Sequence, residues 1–310
     1  MKKILITGAA GTLGINLIKF LLSEGKYEIT ALDLKNNLAI KRLKKYRKRI
    51  NIIYGDIFDR NLIEALVKDH DVIIHLITCL PPLSEYKKSL SEIIEYQAME
   101  NITRAISYYN PDCHLIYASS TSLYGSKEGK VKLKINVDNS NYFNYNKYKC
   151  EELIKKKLEH YTIMRIPLII GDLKQDKFIY SLDKKTKIEC MSKEDASYAF
   201  SKCIDNLNKI NKKTLDIGGG SSCRCTYKEL ILKILKYHGL SFNYLFTRLF
   251  AVKNYTSPIL LDSDDSNKIL NYRDDSLESI FMRQKRRSKK RKIALIISKP
   301  IVKIMERNAK

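Results

Sequence analysis

The chain has no run of 18 apolar residues, no Cys-x-x-Cys pair and a shortage of acid, with 34 Asp+Glu against 57 Lys+Arg in 310 residues. Without a long apolar run, no helix is expected to span a bilayer. The apolar stretch after Met1-Lys2-Lys3 is interrupted by Gly8 and Gly11, too early for a secretory signal. Seven cysteines, an odd number with no zinc spacing to the five His, suit a reducing compartment where thiols act as small hydrophobes. A cytoplasmic protein is the expectation. No internal repeat is present. The acid deficit leaves a formal charge of +23, which by itself points to nucleic acid, an anionic membrane or an acidic ligand. With 44% hydrophobic residues the chain can fill a core, which excludes disorder throughout and a disulfide-stapled miniature fold.

What is there alternates. Strand-like runs occupy Lys3–Thr7, Glu28–Asp33, Asn51–Tyr54, Asp71–Leu76, His114–Ser119 and Tyr161–Ile166. Helical patterns fall between them, at Ile15–Ser23, Ser89–Tyr109 and Tyr145–His160. Such alternation predicts an α/β fold with a parallel, doubly wound Rossmann-type sheet. The pattern loosens after Gly171, with a strand near Thr214–Ile217, a Gly218–Gly220 turn and a helix over Tyr227–His238. Asp262–Ile280 reads as polar and turn-like. The expected division is a nucleotide-binding domain over 1–170, a small mixed lobe over 171–280 and a basic tail over 281–310.

Between the first strand and the first helix lies Thr7-Gly8-Ala9-Ala10-Gly11-Thr12-Leu13-Gly14. Glycines there permit a tight turn and let backbone N–H groups approach a pyrophosphate at the positive helix end. Asp33 ends the second strand 19 residues after Gly14, where a carboxylate can accept both ribose hydroxyls and would repel the extra phosphate of NADP. NAD is the expected cofactor, and Lys35 with the basic stretch beyond it keeps NADP as an alternative.

A Tyr-x-x-x-Lys pair on a helix brings phenol and ammonium to one face, and the ammonium favours phenolate, as a general base needs. The pattern occurs three times, at Tyr145/Lys149, Tyr180/Lys184 and Tyr198/Lys202. Position selects Tyr145 and Lys149, on the helix after the fifth strand, whose C-terminal end carries Ser119 and Ser120. Ser120, Tyr145 and Lys149 are the expected catalytic residues.

In order along residues 1–280 these motifs resemble an extended short-chain dehydrogenase/reductase of the NAD-dependent epimerase/dehydratase group. Gly55-Asp56-Ile57 resembles its adenine-contacting segment, and Leu76-Ile77-Thr78 its fourth-strand end. Ser119–Gly125 resembles its catalytic-serine segment, 25 residues separating Ser120 from Tyr145. Glu194-Asp195, Leu215–Gly219 and Leu270-Asn271-Tyr272 resemble later landmarks. The resemblance implies a cofactor site built from Gly8, Ala10, Gly11, Thr12, Leu13, Gly14, Asp33, Asp56, Ile57, Leu76, Ile77, Thr78, Tyr145, Lys149 and Pro167. It also implies a nucleotide-linked sugar as substrate and a homodimer.

Departures narrow the chemistry. Dehydratases of this group carry Asp-Glu directly after the catalytic Ser/Thr; here Thr121 and Ser122 stand there, so dehydration is not expected. The family's Arg-x-x-Asn-x-x-Gly reads Arg165-Ile-Pro-Leu168-Ile-Ile-Gly171, with Leu168 for the substrate-contacting Asn, a form that resembles certain 4-epimerases and 4-ketosugar reductases. Tyr148 stands where Ser or Thr is usual, and the span from Gly171 to Glu194 is short. Hydride transfer by a 4-epimerase or 4-ketoreductase is the leading expectation, and a non-catalytic cofactor-binding assembly or sensor protein of the same fold is the alternative.

The charge is local. Residues 281–310 carry 12 basic residues and one acidic, so +11 belongs to the tail and +12 to the remaining 280 residues. Arg283–Lys292 has eight basic residues in ten, followed by the largely apolar Ile293–Met305. A polybasic block beside an amphipathic stretch suits an anionic membrane surface, an expectation for 283–310. Lys41–Arg49 has seven basic residues in nine and reads as a solvated crossover-helix face. Nucleic acid is not the expected partner, because no RNA- or DNA-binding motif accompanies these patches.

Overall fold

A computed structural model describes residues 1–81, 83–124, 141–170, 185–237 and 263–287. Expectations for Gly125, the Gly171–Lys184 stretch, His238, Asp262 and the tail from 288 onward lie outside the described residues.

The alternation is realised in chain order. Strand β1 (Lys2–Thr7) leads to α1 (Thr12–Glu24), β2 (Tyr27–Asp33), α2 (Asn37–Leu43), β3 (Asn51–Tyr54), α3 (Arg60–Lys68) and β4 (Val72–His75). Two short helices, α4 (Leu83–Tyr86) and α5 (Lys88–Glu92), precede a π-helical turn at Ile93–Gln97 and then α6 (Ala98–Tyr109). Next come β5 (His114–Ser120), α7 (Tyr142–Lys157), β6 (Tyr161–Ile166), β7 (Leu168–Ile170), β8 (Lys187–Ser192) and α8 (Lys193–Asp205). The described chain closes with α9 (Leu207–Ile210), β9 (Lys213–Asp216), β10 (Arg224–Thr226), α10 (Tyr227–Tyr237), α11 (Asp264–Leu270) and α12 (Leu277–Arg287).

Seven strands form one sheet in the order β3-β2-β1-β4-β5-β6-β9, every pairing parallel. Both faces are covered, which is why β4 can be Val-Ile-Ile-His and wholly buried. Successive β1 side chains serve opposite layers: Ile4 and Ile6 pack with α1 and α8, while Leu5 packs with α3, α6 and α7. Sequence order reverses between β1 and β4, and the crevice outside that reversal is where open α/β sheets hold ligands. A smaller sheet, β10-β8-β7, carries its own core of Ile170, Ile188, Cys190, Cys223 and Leu230.

The helix expected over Ser89–Tyr109 forms and runs on through the π turn, whose Glu95 is buried, 1% exposed. Two expectations are corrected. The helix expected from Tyr145 begins at Tyr142, because the Asn141 side chain accepts the Asn144 N–H and fixes the start three residues earlier. The polar stretch before residue 280 is helical in two places, α11 and α12, and α12 runs across the boundary expected at 281, anchored by an Arg283–Asp275 ion pair.

One buried ion pair locks α7 onto the sheet. Arg165 on β6 donates from Nε and Nη2 to the two Glu151 carboxylate oxygens, at 2.9 and 2.5 Å. Ser119 Oγ donates to the same carboxylate at 2.5 Å. Arg165 also donates to the Tyr124 hydroxyl at 2.6 Å, which in turn donates to Asp216 on β9 at 2.5 Å. Burial alone would lower the guanidinium's pKa, but the Glu151 carboxylate outweighs it and the net direction is upward. Glu151→Ala strands this cation in the interior and is expected to cost about 3–5 kcal/mol, measured as a shift in the urea midpoint at constant slope. A loss no larger than that of an ordinary surface substitution would refute the anchoring role.

Candidate active site

The β1–α1 turn is shaped by two glycines. Gly8 has φ of +70°, and a Cβ there would lie 3.1 Å from the Ile77 backbone N. Thus the turn abuts the segment after β4. A Cβ on Gly14 would lie 2.5 Å from the Ala9 carbonyl oxygen, so only glycine lets α1 pack this closely. Gly11 caps α1 without a side-chain hydrogen bond, and the first helical turn holds no acid. That end presents positive backbone character suited to a phosphate.

Asp33 bends back onto the turn. Its carboxylate accepts the Ala10 N–H at 2.8 Å and the Leu34 N–H at 2.9 Å. Burial raises its pKa, and the two N–H bonds only partly oppose that. Arg42 on α2 donates to the Ala10 carbonyl at 2.9 Å, so one member of the Lys41–Arg49 cluster braces the turn from below. Arg49 likewise donates to the Leu22 carbonyl at 3.1 Å. Sequence reasoning read this whole cluster as a solvated face.

The other expected contacts divide. Leu76 N–H pairs with the Thr7 carbonyl at 3.1 Å, and Thr78 Oγ donates to Glu95 at 2.5 Å. Asp56 accepts the Phe58 N–H, while the Ile57 side chain points into the core. Thr12 opens α1, and the Leu13 carbonyl accepts from Ser197 on α8. Pro167 is buried between β6 and β7, and Leu168, the next residue, is 37% exposed.

At the end of β5, Ser120 Oγ lies 2.7 Å from Ser122 Oγ and accepts the Ser122 N–H at 3.2 Å. Ser122 Oγ donates to the Asn144 side-chain oxygen at 2.6 Å, and the Asn144 amide donates back to the Ser122 carbonyl at 3.0 Å. Tyr145 and Lys149 meet each other on a different face of α7. The Lys149 ammonium lies 5.5 Å from the Tyr145 ring centre, 4.0 Å from that of Tyr96 and 2.8 Å from a Glu92 oxygen. Partial burial works against its charge, but Glu92 holds its pKa above the usual lysine value. Among the described residues no hydrogen bond joins Ser120 to Tyr145 or Lys149. The face toward β5 carries Asn144, Lys147 and Glu151 instead.

Sequence reasoning passed over Lys147, Glu95, Asn144 and Glu151. A signal existed for α7: Phe143, Cys150, Ile154 and Leu158 recur at helical spacing and mark its buried stripe. Lys147 and Glu151 fall within it.

The family model for the NAD dependent epimerase/dehydratase family matches residues 4–191. The chain belongs to that family. Among curated relatives, an uncharacterized UDP-glucose epimerase, YtcB, of Bacillus subtilis is 28% identical over 179 residues, 54% of each chain. A UDP-glucose 4-epimerase of Yersinia enterocolitica is 30% identical over 135 residues, 40% of this chain and 39% of the relative. The chain thus spans about half the length, or less, of these relatives. A UDP-glucuronic acid 4-epimerase of Bacillus cereus, solved with UDP-glucuronic acid and NAD, superposes with a TM-score of 0.77 at 19% identity. That likeness covers 92% of this chain and 98% of the other and shows the shared fold. NAD is the cofactor after which this epimerase/dehydratase family is named, and the Gly8–Gly14 turn with Asp33 fits it: backbone N–H groups for the pyrophosphate, a carboxylate for the ribose.

The floor of this epimerase-family crevice holds a neutral histidine. His75 is fully buried, its Nδ1 lies 2.7 Å from Thr7 Oγ, and burial, with the Lys147 ammonium adding to it, lowers its pKa to about 3. Unfolding restores the ordinary value of 6.5, so the unfolded chain binds the proton first. Stability from this group is complete above pH 6.5 and declines as pH falls toward about 3. Thermal melting between those limits is expected to lose stability less steeply in His75→Gln than in the natural chain. Equal slopes would show that His75 does not carry this acid sensitivity.

Proposed function

We propose that the chain binds NAD at the β1–α1 turn and transfers hydride at a carbinol or ketone carbon of a nucleotide-linked sugar, as a 4-epimerase or a 4-ketosugar reductase. The observation that carries this reading is the Asp33 carboxylate held at 2.8 Å from the Ala10 N–H, beside a turn only glycines can form. It is supported by the family and by relatives described as UDP-glucose epimerases. When bound, NAD takes the carbinol hydrogen as hydride while the hydroxyl proton passes to a base, and the reverse restores the alcohol.

The chain's own groups hold the reacting oxygen and orient the partners. Ser120 stands at the C-terminal end of β5, its hydroxyl donating to Ser122 Oγ, which itself donates to Asn144, and its remaining lone pair can accept from a substrate hydroxyl. Its position fits that role because β5 lies next to β4 and the switch point. Tyr145 and Lys149 pair on the face of α7 away from Ser120, and the helix face toward β5 bears Asn144 and Lys147. Neither Thr121 nor Ser122 supplies the acid–base pair that water elimination needs, which favours hydride transfer without dehydration.

A second reading, a cofactor-binding assembly or sensor protein, is favoured by one observation: Leu168 exposes apolar surface where the family's substrate-contacting Asn is expected. Titration calorimetry with NAD, followed by a panel of UDP- and CDP-linked sugars, separates the two. NAD binding that weakens about tenfold in Asp33→Ala, together with turnover of one sugar nucleotide, is the expected result. Binding without turnover across the panel would favour the second reading, and no binding would refute both.

A further inference from the structure

We propose that Lys147, held by Glu95, is the lysine that serves the NAD crevice, and that Phe143 stands one helical turn before it in place of a phenol. This rests on the reading of the crevice as an NAD site. Tyr145 and Lys147 are two residues apart and so point about 200° apart around the helix axis. The Glu151–Arg165 pair fixes which of the two faces the sheet, since Lys147 and Glu151 are one turn apart on the same stripe.

The contacts of Lys147 span the crevice border. Its side chain is 2% exposed, and its ammonium donates to the Ala118 carbonyl on β5 at 2.9 Å. The same ammonium lies 3.0 Å from Glu95, whose carboxylate accepts from Thr78 Oγ at 2.5 Å and from the Cys79 N–H at 2.7 Å. One cation therefore ties the end of β5 to the segment leaving β4, beside the switch point. An ammonium has three donors; among the described residues the Ala118 carbonyl takes one, while Glu95 answers the charge as an ion pair whose nearer oxygen accepts no hydrogen bond, so a donor remains for a bound hydroxyl. Removing a cation from water is costly unless something inside uses it.

Lys149 has the opposite setting. It is 25% exposed and paired with Glu92, which is 46% exposed. Phe143 is 8% exposed, with the Lys147 ammonium 5.9 Å from its ring centre. Hence the pair at Tyr-x-x-x-Lys spacing on the sheet-facing stripe is Phe143 and Lys147, and the hydroxyls on this side come from Ser120 and Ser122.

The test is NAD titration of the full chain and its variants by calorimetry, with melting measured in the absence of NAD. Lys147→Met is expected to weaken NAD about tenfold or more, while Lys149→Met and Tyr145→Phe change it by less than about twofold. Because Lys147→Met also strands Glu95, its melting temperature should fall. The double variant Glu95→Gln/Lys147→Met should recover the melting temperature and leave NAD binding weak, which a purely structural role would not do. A double variant that binds NAD like the natural chain, or a larger loss in Lys149→Met, would overturn the proposal while the cofactor reading stands. Failure of the natural chain to bind NAD would overturn both.

Discussion

The Glu151 carboxylate, with no exposed surface, can persist only if its charge is answered in place, and Arg165 answers it with a two-point grip. That grip joins α7 to β6; Ser119 brings in β5, and the Tyr124 hydroxyl extends the chain of contacts to Asp216 on β9. Four elements that meet at one edge of the sheet are thereby held to a common geometry. A planar guanidinium against a carboxylate also fixes orientation, which apolar packing of similar volume would leave looser. The rotation of α7 about its axis follows from it, and with that rotation the identity of every α7 side chain facing the crevice.

A second carboxylate completes the arrangement. The π turn before α6 leaves Glu95 buried beside Lys147, Thr78 and Cys79. His75 and Tyr117 lie against the same group, the histidine kept neutral by burial and the tyrosine ring 4.8 Å from the Lys147 ammonium. Polar groups are thus concentrated at the C-terminal ends of β4 and β5, while the strand interiors are apolar on both faces. These polar groups gather beside the point where the sheet order reverses, at the strand ends where open α/β sheets bind ligands.

The excess positive charge is divided among different uses. Arg42 and Arg49 spend their donors on backbone carbonyls of the turn and of α1, and Arg283 pairs with Asp275 at the start of α12. No helix among the described residues is long and apolar enough to cross a membrane. An anionic membrane surface remains a proposal for residues 283–310, as does a homodimer for the whole chain.

By itself the sequence determined the fold class, the six strands of the first half to within a few residues, the glycine turn and Asp33. These are local matters: a strand buried on both faces must be apolar, and a turn with positive φ against a neighbouring backbone must be glycine. The Tyr145–Lys149 pair was legible as a pair for the same reason, since spacing on one helix fixes which side chains are neighbours. Which way the helix turns its faces was a tertiary decision. It depended on Glu151 finding Arg165 on a strand 14 residues away and on Lys147 finding Glu95 across the crevice, partners no spacing along α7 reveals. The long-range ion pair set the rotation, and the rotation selected Lys147 over Lys149 for the sheet edge.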